Sequence, residues 1–222
     1  MIVSTPAPAD IYGIEDAQTL AIVVDDDKDV RDAVGNLFRS VGQACVLFSS
    51  PGAFLDGVLP NVPSCMLLDI RLPGRSGFEL QSHLDRIGAP IPIIFMTGHG
   101  DIAMTVRAMK AGAVDFLTKP FRDQDVLDVV AEAIEHDRRR RAADDALGTV
   151  RRLYGALTPR EKEVMAYVVR GLLNKQIAAE MGIREITVKI HRGHMMRKMS
   201  VRSVADLVRI AESLSLYKNS LM

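Results

Sequence analysis

The segment CMLLDIRLPG, residues 65–74, ends an apolar run on a carboxylate, Asp69, and then breaks at a Pro-Gly pair. Burying an isolated carboxylate is so costly that the group shifts its pKa, finds a partner or binds a metal. We therefore expect Asp69 to lie beside other functional groups.

Polar residues also end or follow other apolar runs in this half of the chain. They are Asp25 and Asp26 after LAIVV, Thr97 after IIFM, and Lys119 after AVDFLT. Carboxylates that meet at one edge repel one another, by about 4 kcal/mol per pair at 4 Å and an effective dielectric near 20. A hard divalent cation relieves this repulsion, and Mg²⁺ is suitable because it uses one or two carboxylates and leaves positions for phosphate oxygens.

Together these groups match phosphoryl transfer, in which a metal and cationic side chains neutralise the transferred group while a nucleophile is held in line. Asp69 is the predicted nucleophile, and an aspartyl phosphate is the predicted product. Lys119 supplies a further positive charge and Thr97 a hydroxyl donor. A single Asp usually only caps a helix or ends a strand, but matched residues at four strand ends favour a site.

Short apolar runs alternate with amphipathic segments through the first half of the chain, which predicts alternating strands and helices. The predicted strands are 20–24, 43–48, 64–69, 91–96 and 113–117, and the predicted helices are 29–41, 51–59, 78–87, 102–111 and 123–136. Strands that are apolar throughout, each followed by a helix, indicate a parallel sheet covered on both faces. We therefore predict an α/β domain with a five-stranded, doubly wound parallel sheet, whose strand ends gather the polar residues.

The net charge of zero conceals a division near Asp137. Residues 1–136 contain 10 Lys or Arg and 19 Asp or Glu, a net charge of −9, whereas residues 137–222 contain 18 and 9, a net charge of +9. An acidic domain joined to a basic one suggests a cation site in the first and a polyanion partner for the second. The segment between them, HDRRRRAADDALGTVRRLYGAL, favours a charged linking helix, with a solvated face or a nucleic-acid contact as alternatives for its arginine run.

No apolar run approaches the roughly 18 residues that a membrane span needs. The first residues, MIVSTPAPADIYG, lack the cationic start and long apolar stretch of a secretory signal. We expect a cytoplasmic protein with a loose Pro/Ala-rich leader and no membrane partner.

The basic half opens with a capping-box signature, in which Thr158 is the N-cap, Pro159 the first helical residue and Glu161 the third. Helices are predicted from there to about Arg170, and over about 175–181, 185–199 and 204–214. Short helices joined by a tight Gly-containing turn, with a basic helix following, are typical of a helix-turn-helix.

Four motifs of the first half, VVDDD, LLDIRLPGRSG, MTGHGD and KAGAVDFLTKPF, resemble the CheY/flavodoxin-like receiver domain of two-component response regulators, and the last two resemble its FixJ branch. The resemblance implies that a sensor histidine kinase phosphorylates Asp69. It also implies that Mg²⁺, or Mn²⁺ as a substitute, is bound by Asp25, Asp26, Asp69 and the backbone carbonyl of Arg71.

The same resemblance implies that Thr97 and Lys119 hold the phosphoryl group and that Phe116 rotates inward when Thr97 moves. The Lys119-Pro120 bond is expected to be cis, a conformation that is essentially limited to X-Pro bonds. Arg71 and His99, each two residues past a key position, are expected to flank the acyl phosphate.

The motifs LTPREKEV, NKQIA and TVKIHR resemble the LuxR-type helix-turn-helix of NarL/FixJ regulators, a small all-α domain. On this resemblance, Ile186, Ile190, Met195 or Met196, and Met199 are predicted to pack the recognition helix onto the other helices. The residues expected to contact double-stranded DNA are Lys175, Thr187, Val188, Lys189, His191, Arg192 and Lys198.

We predict four segments: an N-terminal leader over 1–18, a receiver domain over 19–136, a charged linker helix over 137–155 and a LuxR-type helix-turn-helix DNA-binding domain over 156–222. The predicted function is that of a transcription regulator switched by phosphorylation of Asp69. Phosphorylation is expected to change the surface around 101–136, dimerise the receiver and activate transcription through the transcription machinery. The only predicted catalysis is gain and loss of the protein's own phosphoryl group.

Three alternatives compete with this prediction. The first is a DNA-binding protein with a receiver-like scaffold that phosphorylation does not control, against which the intact pocket argues. The second is a haloacid-dehalogenase-like phosphohydrolase, which uses a second Asp where this chain has Arg71. The third is a flavodoxin-like nucleotide binder, which requires a phosphate-binding loop where this chain has three aspartates.

Overall fold

The computed structural model describes residues 10–12, 17–57, 59–98 and 102–214. The chain divides into two compact units, Met1–Arg141 and Ala142–Met222. Within the described residues, no helix combines the length and apolar character that crossing a membrane requires.

A sheet of six strands, in the order β1-β3-β2-β4-β5-β6, forms the centre of the described part of the first unit. The strands are β1 (Asp10–Tyr12), β2 (Leu20–Val24), β3 (Cys45–Phe48), β4 (Ser64–Asp69), β5 (Ile93–Thr97) and β6 (Asp115–Thr118). Strands β2 to β6 are parallel, which confirms the predicted five-stranded parallel sheet.

The additional strand, β1, runs antiparallel to β3 and lies within the segment predicted to be a loose leader. Its three residues are too few to show a periodicity in the sequence. The prediction of a wholly loose leader is therefore wrong at Asp10–Tyr12, while residues 1–9 lie outside the described part of the chain.

Both faces of the sheet are buried beneath helices. The helices that follow the strands are α1 (Lys28–Ser40), α2 (Pro51–Leu55), α3 (Gly77–Arg86), α4 (Ile102–Lys110) and α5 (Asp123–Gly155). Side chains of α2, α3 and α4 share one core with Ile22 and Leu68, and side chains of α1 and α5 share the other with Val23 and Leu67. Burial on both faces explains why the strands are apolar throughout rather than alternating.

Local caps fix where the helices beside the strand ends begin. Asp27 is the N-cap of α1, and its carboxylate accepts hydrogen bonds from the backbone N–H groups of Asp29 and Val30. Ser76 and Glu79 form a capping box at the start of α3. Caps of this kind satisfy N–H groups that have no partner within the helix. The Asp27 carboxylate therefore caps α1, although Asp27 belongs to the same acidic triplet as Asp25 and Asp26.

Helix α5 runs without a break over Asp123–Gly155, which includes the segment predicted to be a linker helix. Its Asp137 is fully buried and accepts hydrogen bonds from the Ser64 N–H (2.9 Å), from Arg140 and from Arg141. Arg141 also donates to the carbonyl of Pro60 at 3.2 Å. Asp137 and Arg141 therefore hold this helix to Ser64 at the start of β4 and to Pro60 in the loop before it.

The described part of the second unit, which begins at Ala142 within α5, contains four further helices: α6 (Pro159–Val169), α7 (Asn174–Met181), α8 (Glu185–Lys198) and α9 (Val204–Ser213). The predicted capping box at the start of α6 is present. Gly182 ends α7 with φ +63°, a left-handed conformation that glycine adopts at little steric cost. The core includes the fully buried side chains of Val164, Ile177, Val188, Met195 and Leu207.

Candidate functional site

Three carboxylates meet at the carboxyl edge of the sheet. Asp25 follows β2 and Asp69 ends β4, and these strands are hydrogen-bonded neighbours. One oxygen from each of Asp25, Asp26 and Asp69 lies within 4.8 Å of the others. Asp25 and Asp69 are buried whereas Asp26 is exposed, so the group opens to solvent on one side.

Lys119 joins the two buried carboxylates. Its Nζ lies 2.5 Å from Oδ2 of Asp25 and 2.7 Å from Oδ2 of Asp69. Burial of Lys119 lowers its pKa, but hydrogen bonds to the two aspartates outweigh burial, so its pKa is raised. Burial raises the pKa of Asp25, and the hydrogen bond from Lys119 opposes this increase only in part. One cation thus neutralises only part of the negative charge.

The three carboxylates of Asp25, Asp26 and Asp69 satisfy the requirements of a hard divalent cation. Ligands at about 2.1 Å from Mg²⁺ lie about 4.2 Å apart when they are opposite one another, and the oxygens here lie within 4.8 Å. Three carboxylates and one ammonium leave a net charge of −2, which a divalent ion balances. The residues present can therefore hold such an ion with small side-chain movements.

One backbone N–H and one lysine side chain hold the two carboxylate oxygens of Asp69. The N–H of Arg71 donates to Oδ1 of Asp69 at 3.0 Å, while Lys119 occupies Oδ2. The Arg71 side chain is exposed. This contact uses the N–H of Arg71, and the implied role of its carbonyl as a metal ligand stays a prediction.

Thr97 and Phe116 lie on the neighbouring strands. Thr97 is the last residue of β5 and is buried, and its carbonyl accepts a hydrogen bond from the Lys119 N–H at 2.7 Å. Phe116, on β6, is half-buried and packs against the core beneath α3 and α4. The predicted cis bond between Lys119 and Pro120 is confirmed. His99 lies outside the described residues.

Sequence reasoning missed two residues that shape this pocket. Gly77 packs so closely that a Cβ there would lie 2.5 Å from the Asp69 carbonyl oxygen. Arg31 donates from Nη1 to the carbonyl of Asp25 at 2.7 Å. A glycine directly after a helix cap was the available signal for the first, whereas nothing in the sequence pattern singled out Arg31.

The basic unit presents a second candidate site on α8, and two predictions about this helix are wrong. Val188, predicted to contact DNA, is fully buried and packs with Met195 and Met199 in the core, as those two methionines are predicted to do. Ile186 and Ile190, predicted to be core residues, are 59% and 50% exposed. Residues 188, 195 and 199 share one side of the helix because they lie seven and four residues apart.

Lys198 also differs from its predicted role in DNA contact. Its Nζ donates to Oε2 of Glu161 at 2.7 Å and to the carbonyl of Ala156 at 3.4 Å. This hydrogen bond from Lys198 lowers the pKa of Glu161 to about 2. Lys198 lies in the last turn of α8, on the side that faces α6. It therefore binds residues at the start of α6.

The remaining predicted DNA-contact residues lie on α7 and α8. Lys175 and Lys189 are exposed, and Thr187 and His191 are half-buried. Half-buried Arg192 donates from Nη1 to the side chain of Asn174, the first residue of α7, at 2.9 Å. The exposed cations of α7 and α8 suit a phosphate-rich partner.

Comparison with known proteins agrees with this division of the chain. Residues 21–131 match the family model described as response regulator receiver domain. Residues 155–211 match the model described as bacterial regulatory proteins, luxR family.

Three relatives resemble the chain over most of its length. Nodulation protein W of Bradyrhizobium diazoefficiens is 54% identical, with 93% of this chain and 92% of that protein covered. Transcriptional regulatory protein FixJ of Azorhizobium caulinodans is 40% identical, with 85% and 90% covered. The solved structure of response regulator StyR superposes with a TM-score of 0.81 at 47% identity, covering 88% of this chain and 99% of that one.

These matches cover both units of the chain. The chain belongs to the NarL/FixJ family of two-component response regulators, with a receiver domain and a LuxR-type helix-turn-helix DNA-binding domain.

Proposed function

We propose that this protein is a transcription regulator whose DNA binding is switched by Mg²⁺-dependent phosphorylation of Asp69 by a partner histidine kinase. The observation that carries the proposal is the hydrogen-bonding of Asp69, whose two oxygens are held separately by Lys119 and by the Arg71 N–H. A carboxylate held in this way presents an oxygen in a fixed direction, as an in-line nucleophile requires.

In the proposed step, an oxygen of Asp69 attacks the phosphorus of the donor. The new oxygen–phosphorus bond forms as the bond to the donor's leaving group breaks, and the electron pair of that bond leaves with the donor. Lys119 and the Thr97 hydroxyl then hold phosphoryl oxygens. Bound Mg²⁺ would balance the negative charge that Lys119 leaves on the three carboxylates and would neutralise the oxygens of the transferred group. Its proposed ligands are Asp25, Asp26 and Asp69 with the Arg71 carbonyl, and Mn²⁺ is the expected substitute.

The protein needs no other catalytic activity in this scheme. It accepts a phosphoryl group from the kinase or from a small donor, and water later removes that group from Asp69. These two steps are the only ones that we assign to it.

We further propose that the switch passes through Thr97 and Phe116. Drawing the Thr97 hydroxyl toward the phosphoryl group moves the end of β5, and its backbone hydrogen bond to Lys119 links that movement to the residues after β6. Phe116 is half-buried and can exchange between a more exposed and a more buried position. A ligand that favours one of two such states shifts their populations.

The proposed output is dimerisation through the surface formed by residues 101–136, followed by binding of double-stranded DNA and activation of transcription. For the domains we propose the boundaries 19–136 and 156–222, with 137–155 as the linker helix. The proposed DNA contacts are Lys175, Thr187, Lys189, His191 and Arg192, while the corrected roles of Val188 and Lys198 remove them from this set. We place the protein in the cytoplasm, where its DNA partner would be.

The test compares the wild-type chain with Asp69→Asn, and with Asp85→Asn as a matched control, because Asp85 is an exposed residue of α3 outside the pocket. Each protein is incubated with acetyl phosphate and Mg²⁺, and its intact mass is recorded. Wild type and Asp85→Asn should each gain one phosphoryl group, whereas Asp69→Asn should gain none. An unmodified wild type, with Mg²⁺ binding demonstrated by calorimetry, would contradict phosphorylation by small donors and favour the scaffold alternative.

A further inference from the structure

Helix α4 is attached to the first unit through a small buried surface. Among its side chains whose burial is described, residues 104–110, Ala108 alone is buried. Val106 and Met109 are 45% and 46% exposed, although both are apolar. A helix that buries little apolar area gains little stability from packing, so individual contacts with its neighbours have a large share in fixing its position.

Helix α3 makes two such contacts with α4. Nε2 of Gln81 donates to the carbonyl of Ala111 at 2.8 Å, and Ala111 is the first residue after α4. Carbonyls at the end of a helix have no partner within it, so this hydrogen bond caps α4 from outside. The guanidinium of Arg107 also lies 4.6 Å from the centre of the Phe78 ring, which is a cation–π contact.

Burial makes the Gln81 contact costly to break. Gln81 is 5% exposed, so its amide would lose its partner inside the protein if α4 moved away. A buried donor without a partner is much less favourable than one that water can reach. Gln81 therefore favours the present position of α4 over any position in which Ala111 lies farther from α3.

The start of α3 lies against the acidic pocket. Gly77 packs closely on the backbone of Asp69, and the ring of Phe78 lies 4.8 Å from that of Phe95 on β5, measured between ring centres. Gln81 is three residues after Phe78, and residues three apart are neighbours on one side of a helix. Helix α3 is thus fixed beside Asp69 at its first residue and holds α4 one turn farther along.

We propose that Gln81, supported by Phe78, is a positioning residue that holds α4 in the unphosphorylated arrangement and so restrains self-association. The inference rests on the proposed function, in which residues 101–136 form the dimer surface, and it adds the contact that keeps this surface inactive. Because Val106 and Met109 lie on α4, the position of this helix decides how they are presented to a second copy of the chain. A change that moves α4 away from α3 breaks the Gln81 hydrogen bond, so this bond lowers the population of the dimer-competent state.

The experiment replaces Gln81 by methionine, which has a similar length and volume but donates no hydrogen bond. Gln43→Met is the matched control: Nε2 of Gln43 also donates to a backbone carbonyl, that of Ala44 at 2.9 Å, but Gln43 precedes β3, which is separated from β5 by two strands of the sheet. Phe78→Leu is a second test variant, because it removes the ring beneath Arg107 and keeps an apolar side chain. Melting curves of the full chain check that each variant stays folded.

Hydrogen exchange without a phosphodonor measures directly how firmly α4 is held. The net contribution of one hydrogen bond corresponds to about a fivefold change in an equilibrium. The backbone amides of α4 should therefore exchange about fivefold faster in Gln81→Met than in wild type or Gln43→Met. Equal α4 exchange in Gln81→Met and wild type would overturn the inference.

Sedimentation then shows whether this hold on α4 restrains self-association. Both members of a dimer need the released arrangement, so a fivefold rise in its population should raise the association constant of unphosphorylated Gln81→Met about 25-fold. Phe78→Leu should change in the same direction, and Gln43→Met should match wild type. After treatment with acetyl phosphate and Mg²⁺, Gln81→Met and wild type should associate equally, because phosphorylation then favours the released arrangement in both.

A merely structural role of Gln81 would weaken self-association in both states of phosphorylation. The inference would therefore be overturned if Gln81→Met associated like wild type without the phosphodonor, or less strongly than wild type with it. A wild-type protein that neither gains a phosphoryl group nor dimerises would contradict the proposed function. The association of unphosphorylated Gln81→Met, compared with that of Gln43→Met, would still decide the inference in that case.

Discussion

Replacing Asp137 by asparagine should destabilise the receiver unit by about 2–4 kcal/mol. The carboxylate is fully buried and accepts from a backbone N–H and from two arginines. Removing one partner of a buried ion pair costs about 3–5 kcal/mol. The Arg140 and Arg141 side chains are each 27% exposed, so water can partly solvate the two cations once the carboxylate is gone. The expected loss of stability therefore falls toward the lower end of that range.

The assay is hydrogen exchange at the backbone amides of β4, because its central residues are fully buried and exchange only when the receiver unit opens. A loss of about 1.4 kcal/mol corresponds to a tenfold change in the opening equilibrium. Exchange in Asp137→Asn should therefore be about 30- to 700-fold faster than in wild type when exchange is limited by that equilibrium.

Glu135→Gln is a matched control on the same helix. Glu135 pairs with Arg138 and Arg139 at the same i+3 and i+4 spacings, but its side chain is 45% exposed. Exposed pairs contribute at most about 1 kcal/mol, so β4 exchange should change less than about fivefold. Equal exchange rates in Asp137→Asn and Glu135→Gln would refute the reasoning that burial makes the Asp137 pair strong.

Two further substitutions test the pocket and the second unit. Gly77→Ala would place a Cβ 2.5 Å from the Asp69 carbonyl oxygen, so phosphorylation by acetyl phosphate at saturating Mg²⁺ should slow by about tenfold or more because the nucleophile is displaced. The control is Gly52→Ala, which should leave the phosphorylation rate unchanged because the atom nearest to its Cβ is 3.9 Å away. Equal phosphorylation rates in the two variants would contradict this reasoning. Lys198→Met should destabilise the second unit by about 1 kcal/mol at neutral pH, measured by circular dichroism during urea unfolding. Because the pKa of Glu161 is lowered from 4.5 to about 2, the stability that the Lys198–Glu161 ion pair adds should be fully present above pH 4.5 and disappear as the pH falls toward 2. A stability difference between wild type and Lys198→Met that does not change with pH would exclude the ion pair as its source.

The pocket could be predicted from the sequence because its strands are apolar throughout and each one ends abruptly on, or just before, a polar residue. Predicted and observed strands agree within two residues at their ends, as at 91–96 against Ile93–Thr97. Parallel strands then bring their carboxyl ends to one edge without further information. The positions of Asp25, Asp69 and Lys119 followed from that geometry.

Contacts between distant segments could not be predicted in the same way. The four-arginine run has the pattern of a solvated helix face, yet Asp137 beside it accepts a hydrogen bond from Ser64, 73 residues earlier. Gly77 is similar, since its close approach to Asp69 depends on how α3 packs against β4. Neither contact leaves a periodic signal in the sequence.

The buried face of α8 was wrongly assigned because apolar residues occur on all sides of this helix. Isoleucine, valine and methionine occupy positions 186, 188, 190, 195, 196 and 199, so the periodicity does not select one face. Packing against α6 and α7 determines which of them are buried, and it selects Val188, Met195 and Met199. The two exposed isoleucines were therefore identified only from the structure.

The most direct test of the account is the DNA affinity of full-length wild type and Asp69→Asn, each measured with and without acetyl phosphate and Mg²⁺ on a duplex selected by the wild-type protein. Sedimentation in the same samples reports the oligomeric state. Acetyl phosphate should strengthen DNA binding and produce dimers in wild type alone. DNA binding and oligomeric state that are the same in both proteins, with and without the phosphodonor, would contradict control by Asp69.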